Sequence, residues 1–365
     1  VKSVSIKTLL ALSLLTVLSV PLMAATVANP YKVLTETELE AQQVQIELFW
    51  QKQVSQGSFA GVGNVPLHYA YVIPANANAK ATIVLLNGRT ESVLKYQEMY
   101  FELARQGYAV FSYDHRGQGL SARLKEDPHL GHVEEFQHYV QDVALFMAKF
   151  SKQMPGAKLL MAHSMGGAIG SAYLAKAPTE FVAAAMSAPM HAPNVEVLFG
   201  AKDGCYLAAA VRWSCSDCYA GFASQPYNPG PFVGNIYTQS EIRYRRFREQ
   251  YQQQPKIQLG GPSWQWLSQA CAIAHEMPQI AANIKTPVLI LQAGDDSAVA
   301  PAPQDEFCQA IGRYCVGGKV LHIAGARHEF FIEADQYRLP AMTAVLDFYQ
   351  QQLTLLQTEK ANPSP

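Results

Sequence analysis

An excess of charge of either sign is missing from this chain. Lysine and arginine number 28 against 29 aspartates and glutamates, a formal net charge of -1. This balance gives no electrostatic case for nucleic-acid binding, and none is expected. Internal repeats and low-complexity tracts are absent as well. Long apolar runs are scarce: residues 9–18 form one, and no later window approaches the roughly 18 apolar residues of a membrane span. Lys2 and Lys7 flank the start of that run, and the small residues Ala24, Ala25 and Ala28 follow it. This is the layout of a secretory signal over residues 1–25, cleaved near Ala24 or Ala25, with an uncleaved anchor as the alternative. The mature protein is expected to be exported, to a bacterial periplasm or the medium, either free or membrane-associated.

Cysteine is sparse but even in number, with six: Cys205, Cys215, Cys218, Cys271, Cys308 and Cys315. An even count suits disulfides in an oxidising compartment. Cys308 and Cys315, close in sequence around the end of a helix, are the favoured pair. Cys205 with Cys215 or Cys218 is the second candidate. The spacing of Cys215 and Cys218 lacks the second such pair, or the nearby histidines, that a zinc site requires, so no metal is expected.

What is present is abundant apolar material. Hydrophobic residues make up 49% of the 365, enough for one large core or a core with an appended subdomain. After a lead-in segment over 26–58 with helical spacing, residues 59–73 read as a hairpin. Strand and helix patterns then alternate: strands at 81–86, 109–113, 159–162 and 181–186, and helices at 93–105, 134–150 and after Ser164. Further strands are expected at 287–291 and 320–323, and further helices at 303–311 and 336–354. Apolar strands alternating with helices predict an α/β fold, a mostly parallel sheet covered on both faces. Residues 190–284 break the alternation and are rich in aromatics, glycine and proline. They are too long for a loop and read as a cap inserted over the carboxyl edge of the sheet. The core is therefore split into 59–189 and 285–355, with a disordered tail at 356–365.

The most specific motif is Ala162-His163-Ser164-Met165-Gly166-Gly167, between an apolar run and a helical pattern. Small residues two before and two after Ser164 permit the sharp strand-to-helix turn of a nucleophile elbow. A serine hydroxyl needs a base and an orienting acid, expected in the chain order serine, acid, histidine. Of ten histidines only His322 and His328 follow the late strands. His328 sits in a glycine-containing loop, whereas His322 falls inside a strand pattern and is read as packed. Asp295 and Asp296 both leave the end of the strand before them, and either is a candidate acid. An oxyanion hole needs two amides: Met165 supplies one, and the loop 87–92 supplies the other, with Arg89 favoured because Gly88 permits a close turn. The Arg89 guanidinium is read as solvated, and His163 as a structural residue pointing away from the pocket.

Together these residues resemble the α/β-hydrolase superfamily, in its branch of bacterial lysophospholipases and monoacylglycerol lipases (serine aminopeptidase S33-type). Asn87-Gly88-Arg89-Thr90-Glu91-Ser92 is similar to that branch's oxyanion segment, with Asn87 where many members have histidine. Asp114-His115-Arg116-Gly117-Gln118-Gly119, Tyr244-Arg245-Arg246, Gly260-Gly261-Pro262-Ser263-Trp264 and Gly325-Ala326-Arg327-His328-Glu329 extend the resemblance over about residues 60–350. The resemblance places the acid on Asp296, giving Ser164, Asp296 and His328. It implies hydrolysis of a lipid ester through an acyl-enzyme without metal or organic cofactor. A carboxylesterase of other soluble esters and a non-catalytic binding protein are the competing readings. Trp213, Phe232, Tyr237, Trp264 and Trp266 are expected to shape an acyl groove. Arg243, Arg245, Arg246 and Arg248 form a basic run, read either as a solvated helical face or as a contact for phosphate headgroups and an anionic membrane surface.

Overall fold

The computed structural model describes residues 29–74, 79–196, 204–221 and 225–362. The expected signal at 1–25 lies outside them. The lead-in forms two short helices, α1 (Glu36–Ala41) and α2 (Gln43–Gln53). Thr35 and Glu38 close a capping box that satisfies two orphan donors at the start of α1. The first strand begins earlier than the hairpin pattern suggested: β1 (Ser55–Ala60) pairs antiparallel with β2 (Pro66–Val72).

Then come β3 (Ala81–Leu86), α3 (Gln97–Arg105), β4 (Tyr108–Tyr113), α4 (Phe136–Phe150), β5 (Ala157–His163), α5 (Met165–Lys176) and β6 (Ala183–Ser187). The cap contributes α6 (Gly204–Val211) and α7 (Glu241–Gln253), and the chain returns through α8 (Trp264–Ala282) to β7 (Val288–Ala293). It finishes with α9 (Ala302–Ile311), β8 (Leu321–Ile323) and α10 (Asp335–Ala361). The eight strands lie in the order β1-β2-β4-β3-β5-β6-β7-β8, parallel from β4 onward. β3, β4, β6 and β7 are buried along their whole length, because helices cover both faces and no side chain alternates into water. One row of helices runs α4, α5, α8, α9. In the other layer Arg338 of α10 clasps Glu102 of α3, with Nη2 2.6 Å from the carboxylate.

Two boundaries and the burial of one histidine differ from the sequence reading. α8, expected within the cap, packs on α4, α5 and α9 and is the crossover between β6 and β7, so the cap ends before Ser263. Ser263 marks that return by capping α8 through the Trp266 amide at 3.0 Å. The tail expected to be disordered from 356 instead continues α10 to Ala361. His322, expected to be packed, is exposed on the edge strand β8.

The cysteine pairing also differs in part. Cys308–Cys315 forms as expected, but Cys205 joins Cys271, and Cys215 joins Cys218. Cys205 lies on α6 and Cys271 on α8, so this bond ties the cap to a core helix, which a pairing within the cap would not do.

Candidate active site

Ser164 follows β5 and caps α5 at φ 51° and ψ -118°, a conformation that costs an L-residue energy and survives because its surroundings enforce it. Its amide donates to the Ser187 carbonyl (3.0 Å) and its carbonyl accepts from the Met190 amide (2.9 Å), so the end of β6 and the loop after it hold both sides of the turn. Gly166 explains the small residue two positions on: a Cβ there would lie 2.3 Å from the Leu86 carbonyl oxygen. Ala162 at the other small position is fully buried, and its methyl is accommodated.

The structure brings Ser164, His328 and Asp296 together from three separate loops. His328 Nε2 is 2.9 Å from Ser164 Oγ, and His328 Nδ1 is 2.8 Å from Asp296 Oδ2. A carboxylate only accepts, so Nδ1 carries the proton and Nε2 is left to accept from the serine hydroxyl. Burial pushes the Asp296 carboxyl up, but the imidazole and the Val299 and Ala298 amides outweigh it, and the group stays below its ordinary value. Asp296 Oδ1 accepts those two amides at 3.2 and 2.8 Å, so the acid caps its own loop. Asp295 is exposed, and its amide, not its carboxylate, bonds the Ala326 carbonyl at 2.9 Å. That bond ties the acid loop to the histidine loop. Ser164 and His328 are 9% and 4% exposed, which shields the hydroxyl–imidazole pair from bulk water.

Met165 is the first residue of α5, where a backbone N–H has no partner within the helix. The loop carrying Arg89 is braced by the 114–119 loop. Gln118 Nε2 donates to the Gly88 and Glu91 carbonyls (2.7 and 3.1 Å), and Asp114 accepts from the Val93 amide (2.6 Å) and Ser92 hydroxyl (3.0 Å). Burial raises Asp114 to about 6 despite these donors. Gly119, at φ 56°, is needed for this close approach: a Cβ there would fall 2.2 Å from the Asp114 carboxyl carbon. The Arg89 guanidinium is not solvated. It donates to the Gly260 carbonyl (2.9 Å) and lies 5.3 Å over the Trp266 ring, joining the oxyanion loop to the cap root.

Sequence reasoning missed a buried polar cluster behind the imidazole. Lys95 bridges Glu91 and Glu329, with the second contact at 2.7 Å. His163 Nε2 is 3.2 Å from Glu329, and its ring centre is 4.8 Å from that of His328. His163 is therefore structural, as expected, yet it packs directly on the base. Burial lowers the basicity of His163, but Glu329 and Glu91 outweigh it and raise the group; Glu329 is held well below its ordinary value, chiefly by Lys95 against the cost of burial. Glu91, His163 and Glu329 converge within 4.8 Å, a grouping able to hold a cation, and the Lys95 ammonium already supplies one. The available signal was Glu91 and Lys95 four apart beside the oxyanion loop, and Glu329 next to His328.

The cap grips the histidine loop. Arg327 Nη1 donates to the Asn235 and Thr238 carbonyls (2.9 and 3.1 Å), Gln239 Nε2 donates to the Gly325 carbonyl (2.7 Å), and the Glu329 amide donates to the Tyr237 carbonyl (3.0 Å). Between cap and core lies a cavity of about 520 Å³. Of the aromatics expected there, Tyr237 lines it, but Trp213 is 81% exposed and Trp266 is buried under Arg89. Tyr227, Tyr244, Phe247 and Tyr251 form its aromatic wall.

The basic run divides by helical phase. Arg243 is no headgroup contact: it is 2% exposed and fully engaged by Glu98, Asp335, the Glu333 carbonyl and the Leu34 carbonyl. Arg245 is exposed beside Glu40 and Glu249, and Arg246 is half-buried near Glu98. Arg248 faces the cavity.

A nucleophile raised on a strand-to-helix turn, with acid and base arriving after two later strands, is how an α/β-hydrolase is built. Within it, the chain belongs to the family described as "Serine aminopeptidase, S33", whose profile matches residues 77–335. It is 35% identical over 305 residues to lysophospholipase L2 of Escherichia coli strain K12, covering 82% of this chain and 88% of that one. It is 25% identical over 283 residues to the monoacylglycerol lipase of Mycolicibacterium smegmatis, covering 77% and 92%. A soluble variant of monoglyceride lipase from Saccharomyces cerevisiae, solved with a substrate analog, shares the fold at a TM-score of 0.61 and 19% identity, covering 83% and 95%.

Proposed function

We propose that this protein hydrolyses carboxylic esters of monoacyl lipids through an acyl-enzyme, with lysophospholipids as the first substrate class and monoacylglycerols as the second. The observation that carries the reading is the unbroken chain Asp296–His328–Ser164 at 2.8 and 2.9 Å. The named lipases among the relatives support the choice of lipid esters.

Ser164 Oγ attacks the ester carbonyl while His328 Nε2 takes its proton, and Asp296 stabilises the imidazolium that forms. The Met165 and Arg89 amides receive the developing oxyanion. His328 then protonates the departing alcohol. Water, deprotonated by the same imidazole, releases the fatty acid from Ser164. Pairing of all six cysteines supports an exported protein, since such bonds persist in oxidising compartments. Exposed Tyr206, Leu207 and Trp213 in the cap support peripheral contact with a lipid surface.

A fluorophosphonate probe should form an adduct on Ser164, and Ser164→Ala should abolish it while lowering kcat by about 10⁴-fold or more. Wild type without an adduct refutes the enzyme reading. Comparing lysophosphatidylcholine, monoacylglycerol and short p-nitrophenyl esters tests the substrate class. A preference for the short esters would favour a carboxylesterase instead.

A further inference from the structure

We propose that the cavity between cap and core contains an anionic subsite in which Arg248 binds the phosphodiester of a lysophospholipid, and so sets the preference for phosphorylated over neutral monoacyl lipids. This rests on the lipid-ester reading of the Ser164 site and deepens it.

Five formally charged side chains line the cavity: Arg89, Lys95, Arg248, Glu91 and Glu329. Lys95 engages both carboxylates, and Arg89 is occupied by the Gly260 carbonyl and the Trp266 ring. Among the described residues Arg248 meets only aromatic rings and the neutral Tyr227 hydroxyl, and no carboxylate lies within ion-pair reach of it. Its guanidinium carbon sits 4.9 Å from the Tyr244 ring centre and 4.7 Å from that of Phe247, and Nη1 is 3.3 Å from the Tyr227 hydroxyl. Its Nε is buried with no hydrogen-bond partner. Ring faces hold a cation in place without neutralising it or filling its in-plane donors. A partly desolvated guanidinium with a donor to spare is suited to an oxyanion, and a phosphodiester presents two oxygens in the matching fork.

Position agrees with charge. The Tyr251 hydroxyl donates to the Thr90 carbonyl, so the aromatic wall stands on the oxyanion loop. Phe247 lies between Arg248 and Lys95, whose ammonium is 5.4 Å from the same ring, and Lys95 reaches Glu329 beside His328. The cavity is lined by Arg89, Thr90 and Glu91 of the oxyanion loop and by Glu329, the residue after His328, so it opens beside the Ser164 site; on this proposal the glycerol arm of an ester held at Ser164 enters it and carries the phosphate to Arg248. A monoacylglycerol has only a hydroxyl there.

The test uses the full chain, Arg248→Gln and Arg248→Lys, with a lysophosphatidylethanolamine and a monoacylglycerol of the same acyl length in neutral detergent. Arg248→Gln should lower the ratio of kcat/KM for the phospholipid to that for the neutral ester by about 10- to 100-fold, the worth of a charged hydrogen bond. Arg248→Lys should restore part of the ratio. Equal losses on both substrates would overturn the proposal and leave Arg248 a packing residue. Binding is read separately by calorimetry with non-hydrolysable ether analogues of the two lipids. Selective loss of the phospho-ether in Arg248→Gln supports the subsite even if wild type hydrolyses neither ester, the outcome that would defeat the lipid-ester reading alone. Glycerol 3-phosphate and inorganic phosphate serve as competitors. Competition by glycerol 3-phosphate, lost in Arg248→Gln, supports a headgroup site. Equal competition by inorganic phosphate assigns the cavity to the free ion and overturns the headgroup role.

Discussion

Ser164 is held in a backbone conformation that its own side chain does not favour, and the neighbours that enforce it are small or absent for that purpose. Gly166 lets α5 start against the Leu86 carbonyl, and Ser187 at the end of β6 and Met190 in the loop after it pin the turn. The base is held as firmly, since Asp296 is itself fixed by two amides before it reaches His328. Asp296→Asn keeps the shape but offers an amide donor where only an acceptor fits, which selects the wrong imidazole tautomer. It should lower kcat by about 10³- to 10⁴-fold with little change in KM or stability, read by steady-state kinetics beside urea unfolding. These residues were legible because the chemistry demands particular types at particular turns. Glu329 and Lys95 were not, nor was the packing of His163 against His328. Charged side chains usually face water, and nothing in their spacing announces that a lysine will be buried between two carboxylates.

At the scale of the element, α7 shows why a charge run is a poor guide by itself. Arg243 and Arg248 lie on one short helix, yet one is engulfed by Glu98 and Asp335 while the other opens onto a cavity. Arg243→Ala leaves those carboxylates and the Glu333 and Leu34 carbonyls uncompensated and should cost about 3–5 kcal/mol in urea unfolding. Arg245→Ala, at an exposed ion pair, should cost less than about 1 kcal/mol. Strands were legible wherever an apolar run lay between turn residues, as at β3 and β7. α8 was not separable from the cap, because its pattern resembles the helices before it and only its packing on α5 and α9 shows its place. The start of β1 was hidden for another reason. Ser55, Gln56 and Ser58 are edge residues left in water, so no alternation marks them.

Across the whole molecule, buried imidazoles set the response to pH. His115 and His191 are pushed down by burial to about 3, from an ordinary 6.5. Below about 6.5 the unfolded chain takes up protons that these two refuse, so their contribution to stability is present above that pH and lost as it falls. Asp114, raised to about 6, binds its proton more readily when folded and offsets part of that loss between about 6 and its unfolded value. His163 has the opposite sign to His115: raised in the fold by Glu329 and Glu91, it adds stability below about 6.5 that disappears as pH climbs through its folded value. Urea unfolding across pH 4 to 9 should therefore show greatest stability near neutrality (roughly pH 6 to 7). His163→Gln should flatten the alkaline side and leave the acid side unchanged. An unaltered alkaline side would assign that decline to another group.

The grip of residues 235–240 on the histidine loop has a consequence for engineering. A lid that merely covered its substrate could be traded for a cousin's as one changes a glove. Here the lid supplies the carbonyls that steady Arg327 and the donors that satisfy Glu333, on either side of His328. Transplanting it to alter selectivity would also re-aim the imidazole, so a chimaera keeps its turnover only if the recipient's strap travels with the histidine it was fitted to.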